Sequence, residues 1–264
     1  MSFVKVSSMG LETIARFRLR DISLLIAKGS VVDFDSPTNG AIVNAANEGC
    51  LGGGGVDGAI NDAGGDNLEE DRWNLPIVEE HEDDGMSIRC RTGDAVVTGP
   101  NNDYGDLRVP YVIHAVGPDY IRYDDSYDEP DRLLRSAYQA SLNRCSESDK
   151  IEHVAFALLS AGVFRGRRTL QEVLEIAVRS IQDWVPDKTK LKTITLVGYT
   201  SKEINLLLDI CKQNNDLEEI IIEKDDEEEL SNNDNKGDGN NSGKDEDESS
   251  NDNKGDGNKS DDEL

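Results

Sequence analysis

The chain has 264 residues, of which 28 are basic and 54 acidic, so its formal net charge is −26. From Glu223 to Leu264 there are 17 acidic and 5 basic residues, net −12, which leaves a net charge of −14 on the first 222 residues. Neither part has the basic excess that a nucleic-acid backbone or an anionic membrane surface requires, which excludes both as general partners.

The N-terminal residues and the cysteines indicate in which cellular compartment the protein is expected. Met1–Arg20 has scattered charges and no apolar segment, so no secretory signal is expected. The longest apolar runs are strand-sized and far too short to cross a bilayer. The four cysteines form no CxxC pair and have no histidine beside them; they are Cys50, Cys90, Cys145 and Cys211. We therefore expect reduced thiols, no metal site, no cofactor and a cytoplasmic or nuclear protein.

The predicted elements alternate between strands and helices. Alternating apolar residues predict a first strand at Arg16–Ile22. Short apolar or β-branched runs predict four more strands, Ala41–Val43, Val109–Val116, His153–Leu159 and Thr193–Val197. Apolar residues at helical spacing predict helices at Asp131–Ser146, Thr169–Trp184 and Ser201–Gln213. This alternation predicts an α/β sheet with helices on both faces, in which ligands bind at the loops that follow the strands.

The acidic composition of the C-terminal residues predicts a second region that has no hydrophobic core. We place a folded domain at residues 1–222 and a disordered acidic tail at 223–264, because the tail has almost no apolar residues to bury. An eight-residue sequence at Asn233–Asn240 recurs at Asn251–Asn258. Part of it is similar to a calcium loop, but Lys236 stands where an oxygen ligand belongs. A solvated tail that aids solubility or binds a basic partner is the preferred interpretation.

The first candidate site is a glycine-rich loop after the strand at Ala41–Val43. Two asparagines, Asn44 and Asn47, precede four glycines, and Val56 and Asp57 then begin a predicted helix; the glycines are Gly52, Gly53, Gly54 and Gly55. Backbone N–H groups of such a loop can converge on an anion, and the helix N-terminus adds its dipole. A flexible surface loop without a ligand is the alternative.

A second candidate loop follows the strand at His153–Leu159. It consists of small residues and one aromatic residue, namely Ser160, Ala161, Gly162, Val163 and Phe164. It offers another anion-binding turn, although a simple β–α turn would have the same pattern. Asp21 ends the first predicted strand and could accept a hydrogen bond from a ligand amine, or simply be solvated. Together the loops predict a site for a nucleotide with two phosphates held by main-chain groups.

Five segments in this order resemble the macrodomain family, most closely its MacroD-like branch of ADP-ribosyl hydrolases. They are Ile42–Asn47, Gly52–Ile60, Thr92–Ala95, Tyr111–Pro118 and Leu159–Phe164. The resemblance covers about residues 17–213 and implies a three-layer α/β/α fold around a mixed sheet. It implies ADP-ribose and ADP-ribosylated proteins as partners, and a hydrolase that removes mono-ADP-ribose from acidic side chains or deacetylates O-acetyl-ADP-ribose. A non-catalytic ADP-ribose reader module is the alternative. A monomer is expected.

The resemblance also implies roles for individual residues. Asp21 would bind the adenine amine, with Ile22 beside it and Tyr199 packed on the ring. The two loops would hold the diphosphate and the distal ribose. Asn47 would orient that ribose, and Asp57 would position or deprotonate the attacking water, which makes these two the expected catalytic residues.

The sequence departs from the family pattern at several places. Asn61 and Asp62 stand where the branch has histidine and a basic residue, and Arg20 stands in place of glycine. The segment Ser23–Gly40 is longer than expected between Asp21 and Asn44 and is interpreted as a surface insertion. His114 lies within a strand-like run and is expected to be a packed core residue.

Overall fold

The computed structural model describes residues 10–80, 87–123, 126–186 and 188–221. The predicted acidic tail, its repeat and the calcium-like segment lie outside these residues. The strands are β1 (Glu12–Leu19), β2 (Ile22–Lys28), β3 (Gly40–Ala45), β4 (Glu79–Glu80), β5 (Ser87–Ile88), β6 (Ala95–Thr98), β7 (Tyr111–Ala115), β8 (His153–Ala157), β9 (Thr193–Gly198) and β10 (Glu218–Ile220). The helices are α1 (Val56–Trp73), α2 (Asp128–Glu147), α3 (Leu170–Asp183) and α4 (Ser201–Lys212).

Eight of these strands form one mixed sheet in the order β10-β1-β2-β9-β8-β3-β7-β6. The five strands from β2 to β7 in this order are parallel to one another. β1 is antiparallel to β2, and β6 is antiparallel to β7. The carboxyl ends of the five parallel strands therefore lie at one edge of the sheet, where α/β proteins bind their ligands. β4 and β5 form a separate hairpin.

Helices cover both faces of the sheet. Helices α2, α3 and α4 pack against one face, where a core of apolar side chains includes Phe17, Ile26, Val43, Leu134, Phe156, Val173, Leu196 and Leu207. Helix α1 covers the other face with a smaller core that includes Ile42, Ile60, Leu68, Val112, Ala155 and Val197. The structure confirms the predicted three-layer α/β/α fold with a mixed sheet. Within the described residues, no helix is both long and apolar enough to span a bilayer.

The first strand and the predicted insertion are corrected by the structure. β1 ends at Leu19, and Arg20 and Asp21 form the turn of a hairpin whose second strand, β2, is a central strand of the sheet. The predicted surface insertion Ser23–Gly40 therefore begins with a buried strand. Its apolar run of four residues after Ser23 is typical of an interior parallel strand. The Arg20 side chain donates to the carbonyls at the end of α3.

Candidate functional site

A cleft of about 560 Å³ lies at the carboxyl edge of the parallel strands. Its volume is in the range of small-molecule sites. The lining consists mostly of apolar and small residues from the loops after β2, β3, β8 and β9, namely Gly29, Ser30, Val31, Gly55, Val56, Ala59, Ala157, Leu158, Ala161, Gly162, Val197, Tyr199 and Glu203. Of the predicted ligand-binding residues, this lining contains Gly55, Val56, Ala161, Gly162 and Tyr199.

The glycine loop brings the N-terminus of α1 to the cleft. The helix begins at Val56, and Gly55 before it has a φ of 63°, a conformation that glycine adopts without strain. Gly55 has no side chain that could cap the helix, so the first backbone N–H groups lack a side-chain acceptor there. Gly54 and Gly55 have open space where a side chain would project. The loop can therefore approach an anion closely with its main chain.

Asp57 is buried directly behind this loop. Its Oδ1 accepts hydrogen bonds from Asn44 Nδ2 at 2.6 Å and from Arg72 Nη2 at 2.7 Å. Its Oδ2 is buried and has no hydrogen-bond partner among the described residues. A side chain at Gly53 would come within 2.9 Å of that oxygen, so only a residue without a side chain fits at this position. One carboxylate oxygen is thus fixed, and the other has no hydrogen bond within the described part of the chain.

Arg72 is a site residue that the sequence analysis missed. It is fully buried, and besides Asp57 it donates to the Cys50 carbonyl and to Asn61 Oδ1. Fifteen residues of straight helix would separate positions 57 and 72 by about 22 Å. Helix α1 is broken at Gly65, whose φ of 61° and ψ of −163° are accessible essentially to glycine alone. Because α1 is interrupted at Gly65, its second half can place Arg72 beside the Asp57 carboxylate.

His114 supports the same network from β7. Asn44 Nδ2 lies 3.2 Å from His114 Nδ1, and Thr98 Oγ1 lies 3.0 Å from His114 Nε2. Because the Asn44 amide nitrogen can only donate, His114 Nδ1 accepts and Nε2 carries the proton. Burial, and secondly the charge of Arg72, lower the pKa of His114 well below its usual value. The histidine is a buried, neutral acceptor, as the sequence predicted for a packed core residue.

The Asn47 side chain organises the loop in which it lies. Its Oδ1 accepts hydrogen bonds from the backbone N–H groups of Gly49 and Cys50, and its Nδ2 donates to the Gly52 carbonyl at 2.8 Å. The same Nδ2 would lie 3.1 Å from a side chain at Gly53. Asn47 and Asp57 therefore approach the same glycine. Asn44, in contrast, is completely buried and positions Asp57, so the predicted direct ligand contact of Asn44 does not agree with the structure.

The second predicted loop is only partly at the cleft. Ser160 has a φ of 52°, and its hydroxyl donates to the Pro118 carbonyl, which directs the side chain inward. Ala161 and Gly162 line the cleft through their small size. Val163 is highly exposed and Phe164 half-buried, in a short 3-10 turn outside the cleft lining.

Asp21 and Ile22 were predicted at the adenine end, and the structure places them elsewhere. Both stand before or at the start of β2, whereas the cleft lies beyond its end at Lys28, about 20 Å along the strand. Ser30 and Val31 are the residues that line the cleft after β2. The assignment of Asp21 to a strand end was wrong, because it lies in the turn between β1 and β2 and outside the cleft lining.

Tyr199 follows β9 and is 76% exposed at the cleft. Its position is fixed by the start of α4, where Glu203 accepts hydrogen bonds from the backbone N–H groups of Tyr199 and Thr200. Tyr199 therefore belongs to a well-anchored turn, and it shares the cleft lining with Ser30 and Val31. This arrangement can cover one face of a planar ligand group.

All four cysteines carry free thiols and are buried. Cys50 and Cys90 lie together, and a hydrogen bond to Cys50 is the main cause that raises the pKa of Cys90, followed by burial. Among the described residues, no group of three or more histidine, cysteine or carboxylate side chains could hold a metal ion.

Comparison with known proteins identifies the family to which this fold belongs. The Macro domain family model matches residues 43–177. A macro domain-containing protein of Caldanaerobacter subterraneus is 36% identical over 178 residues, covering 67% of this chain and 89% of the relative. The chain belongs to the macro domain family.

Two further relatives are informative. An O-acetyl-ADP-ribose deacetylase of Pantoea vagans is 34% identical over 168 residues, covering 64% of this chain and 88% of the relative. The structure of an Oceanobacillus iheyensis macrodomain with ADP superimposes with a TM-score of 0.62 at 26% identity, covering 77% of this chain and 96% of the other.

Proposed function

We propose that this protein binds ADP-ribose in the cleft and hydrolyses ester-linked derivatives of it. The substrates would be proteins carrying mono-ADP-ribose on acidic side chains, O-acetyl-ADP-ribose, or both. The observation that carries the proposal is the unpartnered Oδ2 of Asp57. Leaving a buried carboxylate oxygen without a hydrogen bond costs free energy, and a catalytic role is one of the reasons for which proteins keep such a group.

The cleft provides places for the parts of the ligand. Ser30, Val31 and Tyr199 would hold adenine at the open end. The backbone of Gly54–Val56, with the dipole of α1, would face the diphosphate. The distal ribose would then lie at Gly53, between Asn47 and Asp57. The name of the Pantoea vagans relative and the ADP complex of the Oceanobacillus iheyensis macrodomain support a ligand of this chemical class.

The reaction is a simple ester hydrolysis. Asp57 Oδ2 would accept a hydrogen bond from a water molecule and take its proton as the water oxygen attacks the carbonyl carbon of the ester. The bond between that carbon and the ribose oxygen breaks, and the proton passes from Asp57 to the ribose oxygen, which gives ADP-ribose and the free acid. Arg72 and Asn44 would keep Asp57 in one orientation throughout. General-base assistance of this kind contributes about 10²–10⁴-fold to the rate.

A non-catalytic reader of ADP-ribose is the second candidate. The observation in its favour is Asn61, which follows Asp57 by about one helical turn and contacts Arg72 instead of bringing an ionisable group to the site. Among the described residues, the side chains that hydrogen-bond to Asp57 are those of Asn44 and Arg72 alone.

The deciding experiment measures release of free ADP-ribose from a protein modified on glutamate. The wild type is compared with Asp57→Asn, which keeps the size of the side chain, and with the control Asp62→Asn, an exposed carboxylate on the same helix. We expect Asp57→Asn to lower the rate at least about 100-fold while ADP-ribose affinity changes less than about tenfold. Tight binding without release by the wild type would establish the reader instead.

A further inference from the structure

A groove of about 640 Å³ lies against the other end of the glycine loop. Residues of the glycine loop between Asn47 and Gly52 form one wall, and the other wall consists of Trp73, Leu75, Ile77, Ser87 and Arg89. The cleft meets the loop at Gly55, whereas the groove meets it at Asn47–Gly52. The Asn47 side chain, which faces the proposed ribose position at Gly53, is thus also part of the groove wall.

The groove surface is unusually apolar for so acidic a chain. Trp73 is 65% exposed and Ile77 is 50% exposed, and Leu51 and Val78 beside them are exposed as well. A contiguous patch of exposed large apolar side chains typically marks an interaction site, whereas single exposed ones need no explanation. Leu51, Trp73 and Ile77 line the same groove from both walls and therefore belong to one surface.

Arg89 lies in this groove as a buried cation, and the part of the chain that the structure describes offers its guanidinium only weak hydrogen bonds. It is 5% exposed, and its Nε has no hydrogen-bond partner among the described residues. Its two hydrogen bonds, to the carbonyls of Gly49 and Trp73, are both 3.5 Å long, and its guanidinium lies 5.4 Å from the centre of the Trp73 ring. The nearby carboxylate of Glu79 is paired with Arg91. Among the residues that the structure describes, no carboxylate pairs with Arg89, and a buried cation is stabilised by an acidic group beside it, which favours an acidic ligand group here.

We propose that the groove binds the polypeptide that carries the ADP-ribose, as an extended segment with an acidic side chain near Arg89 and an apolar one on Trp73 and Ile77. The inference rests on the proposed function and names its substrate class. ADP-ribose is attached to its carrier through the distal ribose, so the carrier must leave the site at the Asn47 end. The groove begins at that end, and its charge is complementary to an acidic segment.

The groove separates two classes of substrate. A modified protein would use it, whereas free ADP-ribose and O-acetyl-ADP-ribose have no polypeptide to place there. Substitutions in the groove should therefore weaken the binding of modified proteins and leave the binding of free ADP-ribose unchanged. A general loss of folding or of nucleotide binding would weaken both.

The test measures binding by the full-length protein of three probes. Two are short peptides that carry ADP-ribose through a non-hydrolysable linkage, with leucine and either glutamate or glutamine beside it, and the third is free ADP-ribose. We expect the glutamate peptide to bind at least about fivefold more tightly than ADP-ribose, and Trp73→Ala and Ile77→Ser to remove that advantage. Arg89→Gln should remove the preference for glutamate over glutamine. Val185→Ser, an exposed apolar residue after α3, is the control and should change nothing.

Equal affinity of all three probes for the wild type would overturn the inference, as would a parallel loss of ADP-ribose affinity in Trp73→Ala and Ile77→Ser. A dimer that dissociates when Trp73 is replaced would assign the groove to a second copy of the chain and also overturn it. If Arg89→Gln does not fold, Trp73→Ala and Ile77→Ser still test the inference, because both replace exposed side chains. If the wild type does not bind free ADP-ribose, the proposed function is wrong. If it binds free ADP-ribose as tightly as the peptides, only the inference about the groove is wrong.

Discussion

The two ends of the proposed ADP-ribose site are built in different ways. At the Asp57 end, a buried carboxylate is held by Asn44 and Arg72, and the histidine behind them is fully buried. At the Ser30 end, the cleft lining includes Tyr199, whose side chain stands largely in solvent. The difference teaches that the end proposed for chemistry is organised by the protein before any ligand binds, whereas the other end offers a surface that a ligand would complete. Changes at the first end should therefore cost stability, and changes at the second should cost affinity only.

The largest expected effect is that of Arg72→Met. The variant removes the cation and leaves the Asp57 carboxylate buried without its charge partner, which should lower the free energy of unfolding by about 3–5 kcal/mol. The double variant Asp57→Asn with Arg72→Met should recover part of that loss, because no charge is then left unpaired. Urea unfolding of both variants checks this.

The matched control for this prediction is Arg132→Met. Arg132 pairs with Glu129 on the surface of α2, where both side chains are more than half exposed. Exposed pairs contribute little because water screens them. A loss of stability as large as that of Arg72→Met would contradict the contrast between buried and exposed pairs.

A smaller effect is expected from alanine at two neighbouring glycines. At Gly53 the new methyl group would approach Asp57 Oδ2 to 2.9 Å and Asn47 Nδ2 to 3.1 Å, whereas at Gly54 it would meet nothing within 4 Å. Gly53→Ala should therefore lower the free energy of unfolding by about 1–3 kcal/mol. Gly54→Ala should leave the stability of the free protein unchanged and weaken ADP-ribose binding. Thermal unfolding with and without ADP-ribose distinguishes the two, and equal destabilisation would contradict the described loop.

The pH dependence of the unfolding free energy should show that His114 is neutral in the folded protein. Burial lowers the pKa of His114 in the folded protein, so below its unfolded pKa of about 6.5 the unfolded chain binds a proton that the folded chain does not. Unfolding free energy should then fall as the pH falls, by up to about 1.4 kcal/mol per pH unit for this group. His114→Gln should flatten the curve between pH 6.5 and 5.5, a window set by the cited unfolded pKa. An unchanged slope in urea titrations would contradict a neutral buried histidine.

The smallest effect is expected at the open end. Tyr199→Ala should lower the affinity for ADP-ribose by about fivefold, the lower end of what aromatic stacking on a base contributes, and leave ribose-5-phosphate binding unchanged. Asp21→Ala is the control, because the structure places Asp21 at the opposite edge of the sheet. Calorimetric titration measures both, and a weakened ADP-ribose complex in Asp21→Ala would restore the original assignment of that residue.

The sequence predicted those parts of the molecule that have a local signal. Helix α3 was predicted at Thr169–Trp184, and these two residues are its N-cap and C-cap in the structure. The interior strands β3, β7, β8 and β9 were each predicted to within a few residues, because they are short apolar runs. β2 was missed, although it is also such a run, because the hairpin turn before it was interpreted as the end of a strand.

The contacts that hold Asp57 could not be predicted from the same signals. Arg72 lies in the second half of α1, and a helix with regular periodicity would place it far from Asp57. Ser30 also has no distinctive local pattern. Each depends on where the chain turns, and the turns at Arg20–Asp21 and Gly65 are made by one or two residues whose backbone conformations the apolar pattern does not determine.

The break of α1 at Gly65 has an evolutionary consequence. The ion pair between Asp57 and Arg72 exists only because the helix bends there, and a residue with a side chain at position 65 would hold that backbone at a cost of about 1–3 kcal/mol. Glycine at 65 and arginine at 72 should therefore covary among macro domains, kept together or replaced together. Where both are replaced, another group must balance the charge of the aspartate, and the pair of positions becomes a marker by which branches of the family can be sorted.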